Sequence, residues 1–469
     1  MISSSRLILS MLLVSCAGCA QILDALEGVS PTPLGFRKPE TAIAGGLAKE
    51  EWGKYAEAIR DYTRAIQLAP TRPEAYAHRG RVKGRLADHQ GAIDDFSRAM
   101  QLTQTLIDDY VNRAEREAAG NELLAALTET REVIELSRTL AGLYLDRSRA
   151  KTQVTDYQGA MLDVTQAIAL DPTRAEAYIG RGAARERLGD PQGAIGDYTQ
   201  AIRLKPDLLD AYLRRGEIKW AMADYQGTIA DYAAAIGLNP YRAPAYVRRG
   251  AAKEKSGDVA GAIDDATRAI ALDPGLADAY ANRSAALGKA GDYPGAIEDA
   301  TQAIELDPRH ASAYFNRAAA KIASGDYPGT IEDATTAVTL NPALADAYVI
   351  RGSVRVQSDD HQAAIEDFTR AIALNPKLAG AYASRGLAKK KTGDLRGAAE
   401  DAGRAVTLDP NLADARGDLW MVVMEMMHGN AAAAKELEAF IRLGPNAPAV
   451  RREMDEAKKQ LITIGERGE

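Results

Sequence analysis

The chain has 469 residues, a formal net charge of −7, and 46% hydrophobic against 26% charged residues. That length is enough for about three ordinary domains and that apolar content is enough to bury a core. The acidic balance argues against a nucleic-acid binder held by a general basic field, and five histidines with two cysteines leave little for a metal or thiol site. Beyond residue 20 no stretch reaches the roughly 18 apolar residues that cross a bilayer, so a membrane channel, a disulfide scaffold and a zinc protein are all set aside.

Met1 to Arg6 is a short, weakly positive start, and Leu7 to Val14 is an eight-residue apolar run. The small residues Ser15, Cys16, Ala17, Gly18, Cys19 and Ala20 follow. This is the layout of a secretory signal over 1–20, too short to remain as a transmembrane helix. Leu13-Val14-Ser15-Cys16 resembles the lipobox of bacterial lipoproteins, which implies cleavage before Cys16 and lipidation of that cysteine. Cys19 is a second candidate, and cleavage after Ala20 would instead release a soluble exported protein. Ala17, standing where an Asp would favour inner-membrane retention, makes the resemblance point to the outer membrane, facing the periplasm. The other locations it leaves are periplasmic and secreted. The Cys16–Cys19 spacing also reads as C-x-x-C, but a redox centre does not belong inside an apolar leader. Residues 21–38, with Gly28, Pro31, Pro33 and Gly35, read as a flexible tether.

From residue 39 onward the chain is one repeat. The string A-I-x-L-x-P returns every 34 residues, with its proline at Pro70, Pro172, Pro206, Pro240, Pro274, Pro308, Pro342, Pro376 and Pro410. Two intervening registers hold Gln104 and Arg138 instead, yet the spacing is unbroken, so repeats start at 39, 73, 107, 141, 175, 209, 243, 277, 311, 345, 379 and 413. Each unit predicts a first helix of about fourteen residues with Tyr at position 4, as in Tyr76, Tyr178 and Tyr246, and a small residue at position 8. Gly-Asp pairs such as Gly189-Asp190 and Gly257-Asp258 mark the turn, because glycine ends a helix at low cost. The second helix carries Ala or Thr at position 20 (Ala194, Thr228, Ala262), then Ala, Ile and Leu as in Ala201, Ile202 and Leu204. Proline stops it. One such hairpin cannot bury its apolar face alone, so neighbours must stack.

This period, with these offsets, resembles the tetratricopeptide repeat (TPR) family over about 39–447. The resemblance implies an all-α superhelical solenoid of about twelve helix-turn-helix repeats. The first repeat is degenerate, with Ala42 for Tyr, and so is the twelfth, with Arg416. Residues 448–469 form a predicted C-terminal capping helix, since Val450, Met454, Ala457, Leu461 and Ile464 share one face. The third repeat, 107–140, has no proline and puts Val133 at the Ala position, which reads as drift or as a local hinge.

Arg recurs at position 7, from Arg79 to Arg385, and an acid recurs at position 23, from Asp61 to Asp401. Ten arginines and eleven carboxylates form a ladder of pairs, but counting does not decide whether they pair within or between repeats. The functional alternative is a row of arginines for an anion or an acidic peptide. In the TPR family, partner peptides lie along the concave face, lined by fixed positions of the first helices. Carried onto this sequence, those positions give Leu213, Arg214, Trp220, Arg248, Phe315, Asn316, Ile322, Val349, Ile350 and Val356 as a partner-binding groove. Partial cover by the adjacent repeat is the alternative reading of the apolar members. No repeat has the Lys and Asn of the carboxylate clamp found in chaperone-binding relatives. Met421, Met424, Met426 and Met427 suit packing against the cap, and Lys389, Lys390 and Lys391 suit a solvated face.

No H-E-x-x-H, no phosphate-binding G-x-x-x-x-G-K-S/T and no G-x-S-x-G occurs. The expected protein is therefore a non-enzymatic interaction scaffold of the cell envelope. Its partners are proteins, with a membrane contact through the lipid anchor and no nucleic acid, small-molecule substrate, cofactor or metal. An envelope assembly factor or holdase-like chaperone for exported subunits is the alternative.

Overall fold

The computed structural model describes residues 38–412, Asn121 excepted, and every element among them is helical. The chain divides into two compact units at Leu208/Leu209. The first holds α1 (Pro39–Glu51), α2 (Tyr55–Leu68), α3 (Pro73–Arg85), α4 (His89–Ala119), α5 (Leu123–Gln153), α6 (Tyr157–Leu170), α7 (Ala175–Arg187) and α8 (Pro191–Leu204). The second begins with α9 (Leu209–Ala221), α10 (Tyr225–Leu238), α11 (Ala243–Ser256), α12 (Val259–Leu272), α13 (Ala277–Ala290) and α14 (Tyr293–Leu306). It continues with α15 (Ala311–Ala323), α16 (Tyr327–Leu340), α17 (Ala345–Gln357), α18 (His361–Leu374), α19 (Ala379–Lys391) and α20 (Leu395–Leu408). Each unit is a solenoid of helical hairpins. The leader, the tether to residue 37, the twelfth repeat, the methionine cluster and the C-terminal cap lie outside the described residues.

The Gly-Asp turn does two jobs. Gly189, Gly257, Gly291, Gly325 and Gly393 have φ between 77° and 91°, a conformation that costs other residues more. The following aspartate then caps the second helix: Asp190 accepts the Gly193 N–H at 2.9 Å, and Asp258 accepts that of Gly261 at 2.9 Å. Such a cap is worth about 1 kcal/mol. Between repeats, the position-4 tyrosine hydroxyl ties back to the turn, as Tyr178 donates to the Pro172 carbonyl at 3.2 Å. Ala194 and Thr228, both at position 20, are fully buried, where only a small side chain lets two helices approach closely.

The arginine ladder pairs within repeats. Arg79 meets Asp95, Arg147 meets Asp163, Arg249 meets Asp265 and Arg385 meets Asp401, each through two parallel hydrogen bonds of 2.6–2.9 Å. These aspartates are at most 5% exposed. A second cation at position 11, which the sequence pattern did not single out, completes each site: Lys83, Lys151, Lys253 and Lys389 reach the same carboxylates at 2.8–2.9 Å. Within-repeat pairing leaves Asp61 over, and Lys49 takes it at 2.7 Å. The arginine rings of donors are thus spent on the fold, and the anion-binding reading of the row does not apply to them.

The third repeat departs from the predicted hairpin stack. Both inter-repeat turns expected at Gln104 and Arg138 are absent, and those residues sit inside the 31-residue helices α4 and α5. The cause is local: without proline nothing removes a backbone donor or forces the preceding residue out of the helical region. Repeat four then packs directly on repeat two. Arg317 and Arg385 each reach a threonine 16 residues upstream, Thr301 and Thr369, at 3.2 and 3.0 Å. Arg147 instead reaches Ser97, 50 residues upstream, at 3.0 Å. Phe96 of the second repeat shares its core with Ala150 of the fourth. Residues 104–138 are accordingly neither drift in an ordinary repeat nor a hinge. They form an arm, a helical hairpin whose base, Ile107, Val111, Val133 and Leu136, joins the core of repeats two and four.

Candidate functional site

An open cleft of about 1020 Å³ lies in the second unit. First helices α9, α11, α13 and α15 supply most of its lining, because the second helices of those repeats pack behind them. Its floor is apolar and small, with Val247, Ala251, Ala281, Ala285 and Ala319, and Phe315 and Leu213 stand at its sides. Leu213 leans on the core cluster of Tyr232, Ile236 and Val247, and Phe315 on that of Ala337, Val338 and Ala347. The apolar side chains are therefore held in place and still line open space. Trp220 packs edge-on to Tyr225, ring centroids 5.5 Å apart.

The charges of the cleft are paired across neighbouring repeats. Arg248 binds Glu217 at 3.1 Å, and Glu217 also accepts the Tyr232 hydroxyl at 2.6 Å. Burial, and then that carboxylate, push the Tyr232 phenol above its ordinary value. Lys289 and Lys255 both meet Glu254. Asn282 donates to the Val247 carbonyl at 3.1 Å and Asn316 to that of Ala281 at 2.8 Å. His310 caps α15: its Nδ1 accepts the Ala313 N–H at 3.2 Å, and its Nε2 lies 3.0 Å from Asp278. The neutral ring therefore carries its proton on Nε2. The Asp278 hydrogen bond raises the His310 pKa, and the same bond lowers that of Asp278.

This pair gives the second unit a pH-dependent term. With its folded pKa raised above 6.5, His310 contributes stability that is full below that value and is lost as pH rises through the folded value. Asp278 contributes above its ordinary value and loses its part as pH falls through the lowered one. Replacing His310 by Asn keeps a good cap and removes the titration. The Tm difference between wild type and His310→Asn should narrow from pH 6 to about pH 9; a gap that widens with pH would contradict the assignment.

The structure brings Leu213, Trp220, Arg248, Phe315 and Asn316 into the one cleft. Arg214, on α9, bonds Asp210 at 2.9 Å, and Ile322 is half-buried near the end of α15. Val349 and Val356 pack against the core of Ala364 and Phe368 of their own repeat and Ala388 of the next, and Ile350 is half-buried on α17. Tyr232, Asp278, His310 and Tyr293, which also line the cleft, were not among the expected residues. His310 sits just before a first helix, at a position where the other repeats place Leu or Arg, as in Arg242, Leu276 and Leu344, so its departure from the period was the available signal. Among the described residues, no group of three or more potential metal ligands comes together and no helix is long and apolar enough to cross a membrane.

Residues 175–208, 283–345, and both 46–72 and 345–378 match family models described as Tetratricopeptide repeat. A search of curated proteins gives no match. Among solved structures, the APC/C hetero-tetramer Cut9-Hcn1 is similar at 14% identity over 89% of this chain and 96% of that one, with a TM-score of 0.45. Yeast Tom70 is similar at 16% identity over 90% and 96%, with a TM-score of 0.35. YrrB, described as a TPR protein with an unusual peptide-binding site, is similar at 22% identity over 37% and 89%, with a TM-score of 0.35.

Proposed function

We propose that this chain, which belongs to the tetratricopeptide-repeat proteins, is a non-enzymatic docking scaffold of the cell envelope that holds a partner segment in the cleft of its second unit. Repeats of this kind are generally protein-interaction scaffolds. The observation that carries the reading is the cleft itself: an open, apolar-floored channel crossing four first helices, flanked by Trp220, Arg248 and Phe315. Large aromatic and arginine side chains beside a pocket are the usual anchors of a protein interface. The leader supports the place of action. An apolar run ending at Cys16, followed by a Pro- and Gly-containing stretch, suits a lipid-tethered protein whose repeats stand clear of the membrane.

The test is crosslinking in the native host with tagged full-length protein, captured proteins being identified by mass spectrometry. One or two dominant envelope partners are expected for the wild type. Trp220→Glu and Phe315→Glu should each reduce their recovery at least tenfold while leaving the helical circular dichroism unchanged. Unchanged recovery from both variants would overturn the cleft assignment. Changing Cys16 and Cys19 together to Ala should move the protein from the membrane to the soluble fraction and weaken capture. Many unrelated clients, kept without the lipid, would instead establish the holdase.

A further inference from the structure

The arm at residues 104–138 is rooted in the core of repeats two and four through Ile107, Val111, Val133 and Leu136, while residues 112–132 add nothing to that core. Repeats two and four already make the contacts of adjacent repeats across it. Arg81 binds Asp146 at 3.0 Å, the same pairing of position 9 with position 6 that joins Glu217 to Arg248, one 34-residue period further apart. The outer part of the hairpin, which that core does not use, is free to serve as a binding element.

Its surface says what it would bind. Leu124 and Leu127, three residues apart on α5, are 80% and 49% exposed, so they share one helix face that no other described residue covers. Carboxylates dominate around them. Eight acids against four arginines give the arm a net charge of −4, more than half that of the whole chain. Asp108, Asp109, Glu115, Glu122 and Glu135 are exposed. Two of the arginines are already engaged, Arg113 with Glu129 and Arg131 with Glu135. At position 11, where other repeats place the second cation of the ladder, the arm has Glu117. Among the described residues, one oxygen of Glu117 is buried without a hydrogen-bond partner, and the buried Oε2 of Glu129 has only Arg113, at 3.4 Å. The arm therefore has a surplus of acceptors and a deficit of cations beside an exposed pair of leucines.

We propose that the arm is a docking element for a basic amphipathic helix of a partner protein. The partner's apolar stripe covers Leu124 and Leu127, and its lysines or arginines meet the arm's carboxylates. Charge of this kind sets orientation and association rate, while the leucines supply the buried contact. This site is independent of the cleft, and either can fail without the other.

The probe is a labelled synthetic helix with leucines on one face and lysines flanking them, titrated against the full-length protein by fluorescence anisotropy. Binding should weaken at least tenfold in Leu124→Glu/Leu127→Glu, and as much for a peptide with glutamates in place of the lysines. Removing two carboxylates elsewhere, Asp264→Asn with Glu332→Gln, should change it less than twofold. A second variant deletes residues 104–137, which joins Thr103 to Arg138 and keeps the 34-residue register. It should fold with wild-type helicity per residue, lose the peptide, and retain capture through the cleft. Equal loss in the distant carboxylate variant would mean general charge attraction and overturn the proposal. So would unchanged binding in the leucine variant, or a wild-type dimer that the leucine variant dissociates, since the arm would then serve a second copy.

Discussion

Replacing Asp231 by alanine should destabilise the second unit by about 3–5 kcal/mol, the cost of stripping the partner from a buried charge. Asp231 is 2% exposed. It accepts from Arg215 Nε at 3.0 Å and lies 2.8 Å from Lys219 Nζ. Its removal leaves two cations, whose side chains are 14% and 18% exposed, without their shared counter-charge. The corresponding change in the arm, Glu129→Ala, should cost no more than about 1 kcal/mol, because Arg113 is 44% exposed and only within 3.4 Å. Replacing Asp231, Arg215 and Lys219 together by leucine or methionine should recover most of the loss, since a buried ion cluster gives little net stability over an apolar one. Amide exchange across α9 and α10, followed by mass spectrometry, reads the opening free energy of that hairpin. Equal costs at Asp231 and Glu129 would show that burial does not set the strength of the ladder.

The ladder also shows where sequence and structure part. The Arg at position 7 and the acid at position 23 recur as fixed residue types, so their partnership is readable from spacing alone. The second cation is not, because position 11 varies between Lys and Arg and is Glu117 in one repeat and Leu287 in another. Which repeat each pair belongs to is a matter of distance, which counting cannot supply. The helix turns were legible wherever glycine or proline carries them. Ala87, Thr155, Ala223 and Asp359 take φ of 59–63° in the same turn without glycine, so the stack imposes the conformation that the residue disfavours. For the cleft, Leu213, Trp220, Arg248, Phe315 and Asn316 come together in one channel, while Val349 and Val356 of the tenth repeat lie half-buried on a core of that repeat and the next. Those two valines occupy the same positions as groove residues elsewhere. Bulk behind the helix does not separate them, since Tyr232 backs Leu213 as Phe368 backs Val349; the pattern gives the helix face, and only distances say which of its members share a channel.

The third repeat is the sharpest instance, because its period is intact while its place in the stack is lost. Placing proline back where the repeat elsewhere has it distinguishes a continuous helix from a turn. Gln104 and Arg138 both lie in helix interiors. A proline there removes a backbone hydrogen bond and collides with the carbonyl four residues before it, at about 3 kcal/mol or more. Gln104→Pro and Arg138→Pro should each destabilise the first unit by that amount, while Gln104→Ala and Arg138→Ala stay within about 0.5 kcal/mol of wild type. Gln104 is exposed and its side chain bonds only Asp108, at 2.9 Å, so the alanine change removes little. Urea unfolding followed by far-ultraviolet circular dichroism measures both sets. Proline variants as stable as the alanine ones would mean that turns exist at these sites and that the repeat stands in the stack. The paired substitution carries a second expectation. With both turns restored, repeat three gains the local geometry to enter between repeats two and four, so the two costs should add to less than their sum. The contact that reports the change is Arg147 with Ser97: an in-line third repeat would carry those two residues apart, and a bifunctional thiol reagent about as long as an arginine side chain should link cysteines placed at 97 and 147 in the wild-type background and fail in the double-proline one.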